Sequence, residues 1–269
     1  MTRVLTGQRL LITGASSGIG GCLAKEAGVQ GARLALTARS GDRLEALARE
    51  IIEAGGEAIA VAGDVTRAED RQRLLDKVAQ AYGGLDVLIN NAGVGSFGHF
   101  AGSTEAVLRQ VMEVNFFAPA ELIRQALPLL RKGRQPAIVN VVSMCGRRAL
   151  PAWPEYSASK FALCGLSESL RAELVRFGID VLVILPGLTR TEIGSHLLRN
   201  EGRMQIDYAA GMDPEAVARQ ILRALQRNRN ETVLGREARM ILCLNRLMPR
   251  LVDRLMARKV RQLYADEME

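Results

Sequence analysis

The sequence predicts an α/β domain built on a doubly wound parallel sheet with helices on both faces. Three observations carry this. Short runs that are apolar at successive positions alternate with longer segments of helical period. A glycine-rich turn joins the first run to the first helical segment. The chain has 269 residues, 48% hydrophobic and 24% charged, enough for one large core without disulfide staples.

Taken in order, residues 10–13 read as the first strand and 19–30 as the first helix. The pattern repeats as 33–37 then 44–54, and as 58–61 then 74–82. Further strands follow at 87–89, 137–142 and 181–185. Strands apolar on both sides suit a parallel sheet sandwiched between helices. The stretches 97–103 and 188–212 are the main irregular ones, and binding loops are often of this kind. Asp213-Pro214-Glu215 opens another helix, with Asp213 as N-cap and Pro214 in the first helical position. Residues 1–235 thus form the main domain, including a loop at about 188–212, and 236–269 a basic amphipathic helical extension.

Composition excludes a disordered, collagen-like or disulfide-framework chain. The net charge of +7 is uneven: residues 236–269 hold eight basic and five acidic side chains. With aromatics at 4% and no docking module for nucleic acid, nucleic-acid binding is not expected. Cys22, Cys145, Cys164 and Cys243 are scattered without metal or dithiol spacing, and read as idle thiols. With only His99 and His196, neither in a supporting motif, no metal site is expected. The start of the chain lacks an export signal, and no apolar run approaches the ~20 residues that cross a bilayer. A cytoplasmic protein, soluble or peripheral to a membrane, is expected.

The segment Thr13-Gly14-Ala15-Ser16-Ser17-Gly18-Ile19-Gly20 leads directly into a helix. Its glycines permit a tight turn and close approach of a pyrophosphate, and the helix start offers unpaired N–H donors. The plain alternative is a glycine-rich turn without a ligand. The spacing resembles the T-G-x-x-x-G-x-G segment of the short-chain dehydrogenase/reductase family. Asp64-Val65, Asn90-Asn91-Ala92-Gly93, Asn115, Ser143, Tyr156-x-x-x-Lys160 and Pro186-Gly187-x-x-x-Thr191 match further family motifs in the family's order, spanning residues 10–191.

The resemblance implies a Rossmann-type fold, a nicotinamide dinucleotide and a homodimer or homotetramer. It places Gly14, Ser16, Ser17, Gly18, Ile19 and Gly20 at the phosphates, Asp64 and Val65 around the adenine, and Asn90, Asn91, Ala92 and Gly93 beside a ribose. Pro186, Gly187, Thr189 and Thr191 fall near the nicotinamide. Alone, Asp64 reads equally as a turn cap, and Asn90 and Asn91 as groups that fix their own loop. After the second strand comes Thr37-Ala38-Arg39-Ser40, with no carboxylate to accept from a ribose 2′-hydroxyl. Arg39 offers a donor fork to a 2′-phosphate, which favours NADP(H), with Ser16 and Ser17 as further partners; an ordinary solvated arginine is the alternative.

Tyr156 and Lys160 stand at i, i+4 near the start of a helix that runs to about residue 177, so phenol and ammonium share a face. A cation beside a phenol favours phenolate, making Tyr156 the candidate general acid/base; an unremarkable surface pair is the alternative. By resemblance, Ser143 polarises the substrate oxygen, Lys160 also binds the nicotinamide ribose, and Asn115 maintains a proton-relay water. The implied activity is NADP(H)-dependent interconversion of a ketone or aldehyde with an alcohol. An epimerase or dehydratase would need a larger substrate region and a shifted glycine pattern. A cofactor-sensing regulatory protein without turnover would be expected to lack Tyr156, Lys160 or Ser143.

Phe97, Phe100, Leu150, Trp153, Met204 and Met212 fall in loops that the resemblance places around the substrate mouth. They favour an apolar or lipid-like substrate, with core packing the alternative. Residues 237–263 read as a helix carrying Met240, Leu244, Leu247, Leu251 and Leu255 along one side, widened by Ile241, Met248, Val252 and Met256. Arg239, Arg246, Arg250, Arg254, Arg258, Lys259 and Arg261 form a basic face, and Pro249 bends or divides the helix. A subunit contact, a substrate flap or interfacial membrane attachment would each explain the apolar side.

Overall fold

The computed structural model describes residues 2–265, apart from the side chains of Ser195 and His196. Residues 266–269 of the extension lie outside the described residues. The strands are β1 (Arg9–Thr13), β2 (Arg33–Ala38), β3 (Glu57–Ala62), β4 (Val87–Asn90), β5 (Ala137–Val141), β6 (Asp180–Pro186) and β7 (Glu231–Leu234). They form one sheet in the order β3-β2-β1-β4-β5-β6-β7, every neighbouring pair parallel. The order reverses between β1 and β4, and the crevice outside the strands' carboxyl ends at such a point is where ligands bind in open α/β sheets.

Successive strand residues are apolar because they serve opposite faces. Leu10, Ile12, Leu34, Leu36, Val87 and Ile89 pack into one cluster with Leu23, Ala24 and Ala27 of α1 (Gly18–Val29) and Ile221 and Leu222 of α7 (Pro214–Gln226). That layer also holds α2 (Gly41–Glu53). Leu11, Ala35, Leu88 and Ile138 face the other way, onto α3 (Ala68–Tyr82) and α5 (Ala118–Leu130). Two sequence-distant layers are thereby clamped to one sheet, each fully buried Leu or Ile contributing about 1.5–3 kcal/mol.

Between β4 and α5, α4 (Glu105–Met112) runs into a π-helical turn over Glu113–Phe117. Asp213 caps α7, accepting from Ala216 N at 3.0 Å. The extension forms two helices, α8 (Arg236–Leu247) and α9 (Pro249–Leu263), with Pro249 in the first turn of the second. Pro249 therefore divides the segment.

Candidate active site

The carboxyl ends of β1 and β4 are stapled together by side chains that the strands deliver side by side. Thr13 Oγ1 accepts from Asn91 N and Ala92 N, both at 3.0 Å. The Asn91 amide donates back to Thr13 O at 3.0 Å and Gly14 O at 3.2 Å. Gly14 has φ +64°, and a Cβ there would stand 2.9 Å from Ala92 Cα. At Gly20 a Cβ would lie 2.2 Å from Gly14 O, so the helix can start this close to the turn only with glycine. Ser17, the N-cap of α1, is extended and makes no side-chain cap bond, and no acidic residue occupies the first turn. The helix thus presents open N–H groups and its positive end, an arrangement that fits a dinucleotide's pyrophosphate. An open groove of about 580 Å³ passes Ser16, Ser17, Gly18 and Arg43 on the outer side of this turn.

The other residues singled out for the cofactor divide by how their polar atoms are used. Arg39 follows β2 directly, is exposed, and has no hydrogen bond or ion pair among the described residues. Asp64 Oδ1 accepts from Thr66 N at 2.9 Å and Thr66 Oγ1 at 2.8 Å, so this carboxylate caps its own turn; Val65 O accepts from Arg71. Asn90 is turned into the sheet, donating to Asn140 Oδ1 at 2.8 Å, and Asn140 donates to Ser167 Oγ at 2.8 Å. Pro186 ends β6, and Gly187 N donates to Leu234 O at 2.9 Å. Thr189 donates to Gly187 O at 3.1 Å, whereas the Thr191 methyl lies against Gly18, across the mouth of the cradle. Arg43 and Glu192 bridge the same cleft at 2.9 Å. Ile19 packs on the core from the first turn of α1.

A second cluster lies at the ends of β4 and β5. Ser143 follows β5, and its Oγ accepts from Cys145 N at 3.1 Å. α6 (Pro154–Leu174) begins with Pro154 in its first turn and carries Tyr156 and Lys160 on one face, the Lys160 Nζ 5.6 Å from the phenol ring centre. Lys160 is buried, and Nζ donates to Val141 O at 3.4 Å. Burial lowers its ammonium to about 8, with Cys164 and Cys145 pulling weakly upward. Burial pushes the Tyr156 phenol well above its ordinary value, Cys145 adds to this, and the Ser143 hydroxyl opposes it by hydrogen bonding. This direction is opposite to what a neighbouring ammonium alone would give, because desolvation outweighs charge proximity here.

Asn115 sits in the π-helical turn and is buried. Its Oδ1 accepts from Val94 N and its amide donates to Val94 O, both at 2.9 Å. The amide also donates to Ser159 Oγ at 3.0 Å, and Ser159 donates to Tyr156 O at 2.7 Å. A Cβ on Gly93 would lie 3.2 Å from Asn115 Oδ1 and 3.4 Å from Lys160 Nζ, so Gly93 lets these two groups share one space. The structure brings Asn115, Ser143, Tyr156 and Lys160 to one end of the sheet, beside the cradle. Ser159 was not anticipated; its only sequence signal is a small polar residue three positions after Tyr156.

Above this cluster, Trp153 stacks edge-on to Tyr156 with ring centres 5.4 Å apart, and Phe97 lies 5.1 Å from Trp153. The segment after β6 closes over them: Phe97 N donates to Arg199 O at 2.9 Å, and Glu201 N to Phe97 O at 2.8 Å. Leu198 N donates to Gly95 O at 2.9 Å. Phe97 is buried, Leu150, Trp153 and Met204 are partly exposed, and Phe100 is exposed. Met212 instead packs on the main core and against Gly235, because its strand-like bridge to Thr189 turns it inward.

Two further features had no sequence signal. Glu155 is buried next to Tyr156, and its Oε1 lies 3.9 Å from Arg199 Nη1, neither atom having a hydrogen-bond partner. Arg199 also donates to Glu201 at 2.6 Å. The Tyr208 hydroxyl is buried and unpartnered, and lies near enough to Tyr156 to raise its pKa.

Residues 8–202 match the family model described as short chain dehydrogenase. The uncharacterized oxidoreductase YxnA of Bacillus subtilis (strain 168) is 35% identical over 256 residues, which cover 94% of this chain and 72% of that protein. Dehydrogenase/reductase SDR family member 7B of Bos taurus is 33% identical, over 94% of this chain and 81% of its own length. Among solved structures, a short-chain dehydrogenase/reductase from Burkholderia phymatum in complex with NAD superposes with a TM-score of 0.84 at 26% identity, covering 93% of this chain and 96% of its own. An alcohol dehydrogenase from Thermococcus sibiricus, complexed with 5-hydroxy-NADP, gives 0.76 at 27% identity over 84% and 95%. The likeness extends over the sheet, the cradle and the helix of Tyr156 and Lys160 alike: the chain belongs to the short-chain dehydrogenase/reductase family of oxidoreductases.

Proposed function

We propose that this protein is an NADP(H)-dependent oxidoreductase that interconverts an apolar ketone or aldehyde with its alcohol. The observation that carries this reading is the meeting of Ser143, Tyr156 and Lys160 beside the glycine cradle. A bound nicotinamide dinucleotide supplies or accepts the hydride. Tyr156, kept protonated by burial, holds the proton that a carbonyl oxygen needs as negative charge develops on it. Ser143 shares that oxygen through its hydroxyl. Lys160, poised near neutrality by burial, offers donors to ribose hydroxyls and a cation beside the phenol once a proton has left it. Asn115 fixes the space beside Lys160 Nζ, where a water could resupply the proton.

Arg39 supports the choice of NADP(H), since an exposed guanidinium with no internal partner at the end of β2 is free to take a 2′-phosphate. Phe97 and Trp153 support an apolar substrate, because they roof the phenol with aromatic surface. Exposed Phe117 and Phe161, on the π-helical turn and on α6, support a homodimer or homotetramer through that side.

A panel of ketones and aldehydes followed by NADPH absorbance, repeated with NADH, tests the reading. Expected are turnover of apolar carbonyls, preference for NADPH that Arg39→Ala removes, and loss of turnover with retained cofactor binding in Tyr156→Phe. Unchanged turnover in Tyr156→Phe would reject the assignment of the phenol, and an NADH preference would reject that of Arg39.

A further inference from the structure

α8 and α9 are fixed by their inner faces. Ala238 is buried on the end of the sheet, with Ile241 and Leu242 packed beside it. Val252 is buried in α9. Arg148 ties both helices to the loop after β5, donating to Asn245 Oδ1 at 3.1 Å and Asp253 Oδ1 at 2.7 Å. At the far end Tyr264 is clasped by the substrate-side loops. Its ring meets His99 edge-on with centres 4.3 Å apart, the Arg203 guanidinium lies 4.6 Å over it, and its hydroxyl accepts from Arg203 N at 3.2 Å. The helix pair is thus packed and bonded onto the main domain at both ends, and α9 ends against the loops of His99 and Arg203.

The outer side is different. Met240, Leu247, Met248, Leu251 and Leu255 are 37–73% exposed, five of the thirteen large hydrophobic side chains exposed among the described residues. Scattered apolar residues need no explanation, but a row confined to sixteen positions on two joined helices does. Around it stand Arg246, Arg250, Arg254, Arg258, Lys259 and Arg261, all exposed and none in an ion pair among the described residues. Between 236 and 265 there are eight basic and two acidic side chains, and one of those acids, Asp253, is held by Arg148. The three remaining acids of the extension fall within residues 266–269, outside the described residues.

We propose that the outer face of α8 and α9 docks on the surface of an anionic lipid bilayer. Apolar side chains of this length reach the boundary of the acyl chains while arginines at their sides remain at the level of the lipid phosphates. Charge complementarity selects this occupant over a second copy of the chain, since two-fold pairing through this face would bring its unpaired cations together. No helix among the described residues is long and apolar enough to cross a membrane, so the contact is interfacial. Docking through α9 sets Tyr264, and with it the loops of His99 and Arg203, beside the lipid.

The full-length protein is sedimented with vesicles of phosphatidylcholine alone and of phosphatidylcholine mixed with phosphatidylglycerol. Binding is expected on the mixed vesicles and at least about tenfold weaker on the neutral ones or in high salt, as each basic residue near an anionic surface contributes measurably. Arg250→Gln/Arg254→Gln/Arg258→Gln and Leu247→Ser/Leu251→Ser/Leu255→Ser alter only exposed positions, and each should lower binding by at least about tenfold. Circular dichroism and the thermal midpoint check that both triple variants remain folded, and light scattering reports mass. Equal sedimentation with both vesicle types, or binding that neither triple variant weakens, overturns the proposal. So does a concentration-dependent mass that only the leucine variant abolishes, in the absence of vesicle binding, which would identify a second copy as the occupant. None of these readouts depends on turnover or cofactor preference.

Discussion

Lys160 is a place where the proposed chemistry and stability should oppose each other. Its ammonium is buried, 3.4 Å from a single carbonyl, and burial takes its pKa from 10.5 to about 8. That displacement corresponds to about 3 kcal/mol disfavouring the charged form in the folded protein, at roughly 1.4 kcal/mol per pKa unit. Below about pH 8 the side chain is protonated in both folded and unfolded chains, so the whole penalty is present at pH 7. Between about 8 and 10.5 the unfolded chain binds the proton more than the folded one, and stability therefore rises with pH through that window.

Lys160→Met keeps the length of the side chain and removes the charge. At pH 7 the cofactor-free variant should be more stable than the parent by up to about 3 kcal/mol, raising the thermal midpoint by up to roughly 6 °C in a chain of this size. The gap should close as pH approaches 10.5, because the parent then sheds its buried proton. Calorimetry of both proteins at pH 7 and pH 10 measures it, and turnover of the variant should be lost. A variant no more stable than the parent at pH 7, or a gap of the same size at pH 10, would refute the reasoning.

Gly20→Ala places a methyl 2.2 Å from Gly14 O and 2.6 Å from the Asn91 amide nitrogen, which leaves it no room; about 1–3 kcal/mol of stability and at least tenfold in cofactor affinity should be lost. Denaturant unfolding and a nucleotide fluorescence titration check the two effects, and retained affinity would show that the turn is not the cradle. Arg199→Ala leaves the Glu155 carboxylate buried without a cation, worth about 3–5 kcal/mol if the loop stays shut, so the loop should release instead. Faster hydrogen exchange over residues 197–203 and a rise in KM exceeding any fall in kcat are expected, with Arg199→Lys recovering part of both. Unchanged exchange would remove the pair as a loop anchor.

The architecture was legible because burial on two faces leaves a local trace: Leu10, Leu11 and Ile12 are apolar in succession since they serve different helix layers. β7 left none. Glu231, Thr232 and Val233 are exposed or partly exposed on a strand bonded only to β6, so neither a continuous apolar run nor an alternation marks it. Tyr156 and Lys160 were readable as a pair because four residues of helix place them together. The sign of the phenol's displacement was not, since spacing specifies charge proximity whereas desolvation depends on chain brought in from elsewhere. Arg199 and Glu155 are in the same position: they meet across 44 residues, a loop against a helix start, and no periodicity links such segments. Asn90 belongs with them, its amide committed to Asn140 on the adjacent strand rather than open to the crevice.

Several polar groups buried around the phenol of Tyr156 remain incompletely matched. Lys160 has one long contact, the Tyr208 hydroxyl has none, and Glu155 and Arg199 stand near one another without a hydrogen bond. Each such group costs free energy when buried, so their collection at one place is destabilising unless something supplies the missing partners. Asp86, at the opposite end of β4, is by contrast fully matched: it accepts from Arg9 and from the backbone of Arg9 and Arg134. Around the phenol, Lys160, Tyr208, Glu155 and Arg199 thus keep donors and acceptors available for the hydroxyls and oxygens of a ligand, whereas Asn115 is fully bonded and acts by fixing Val94 and Ser159.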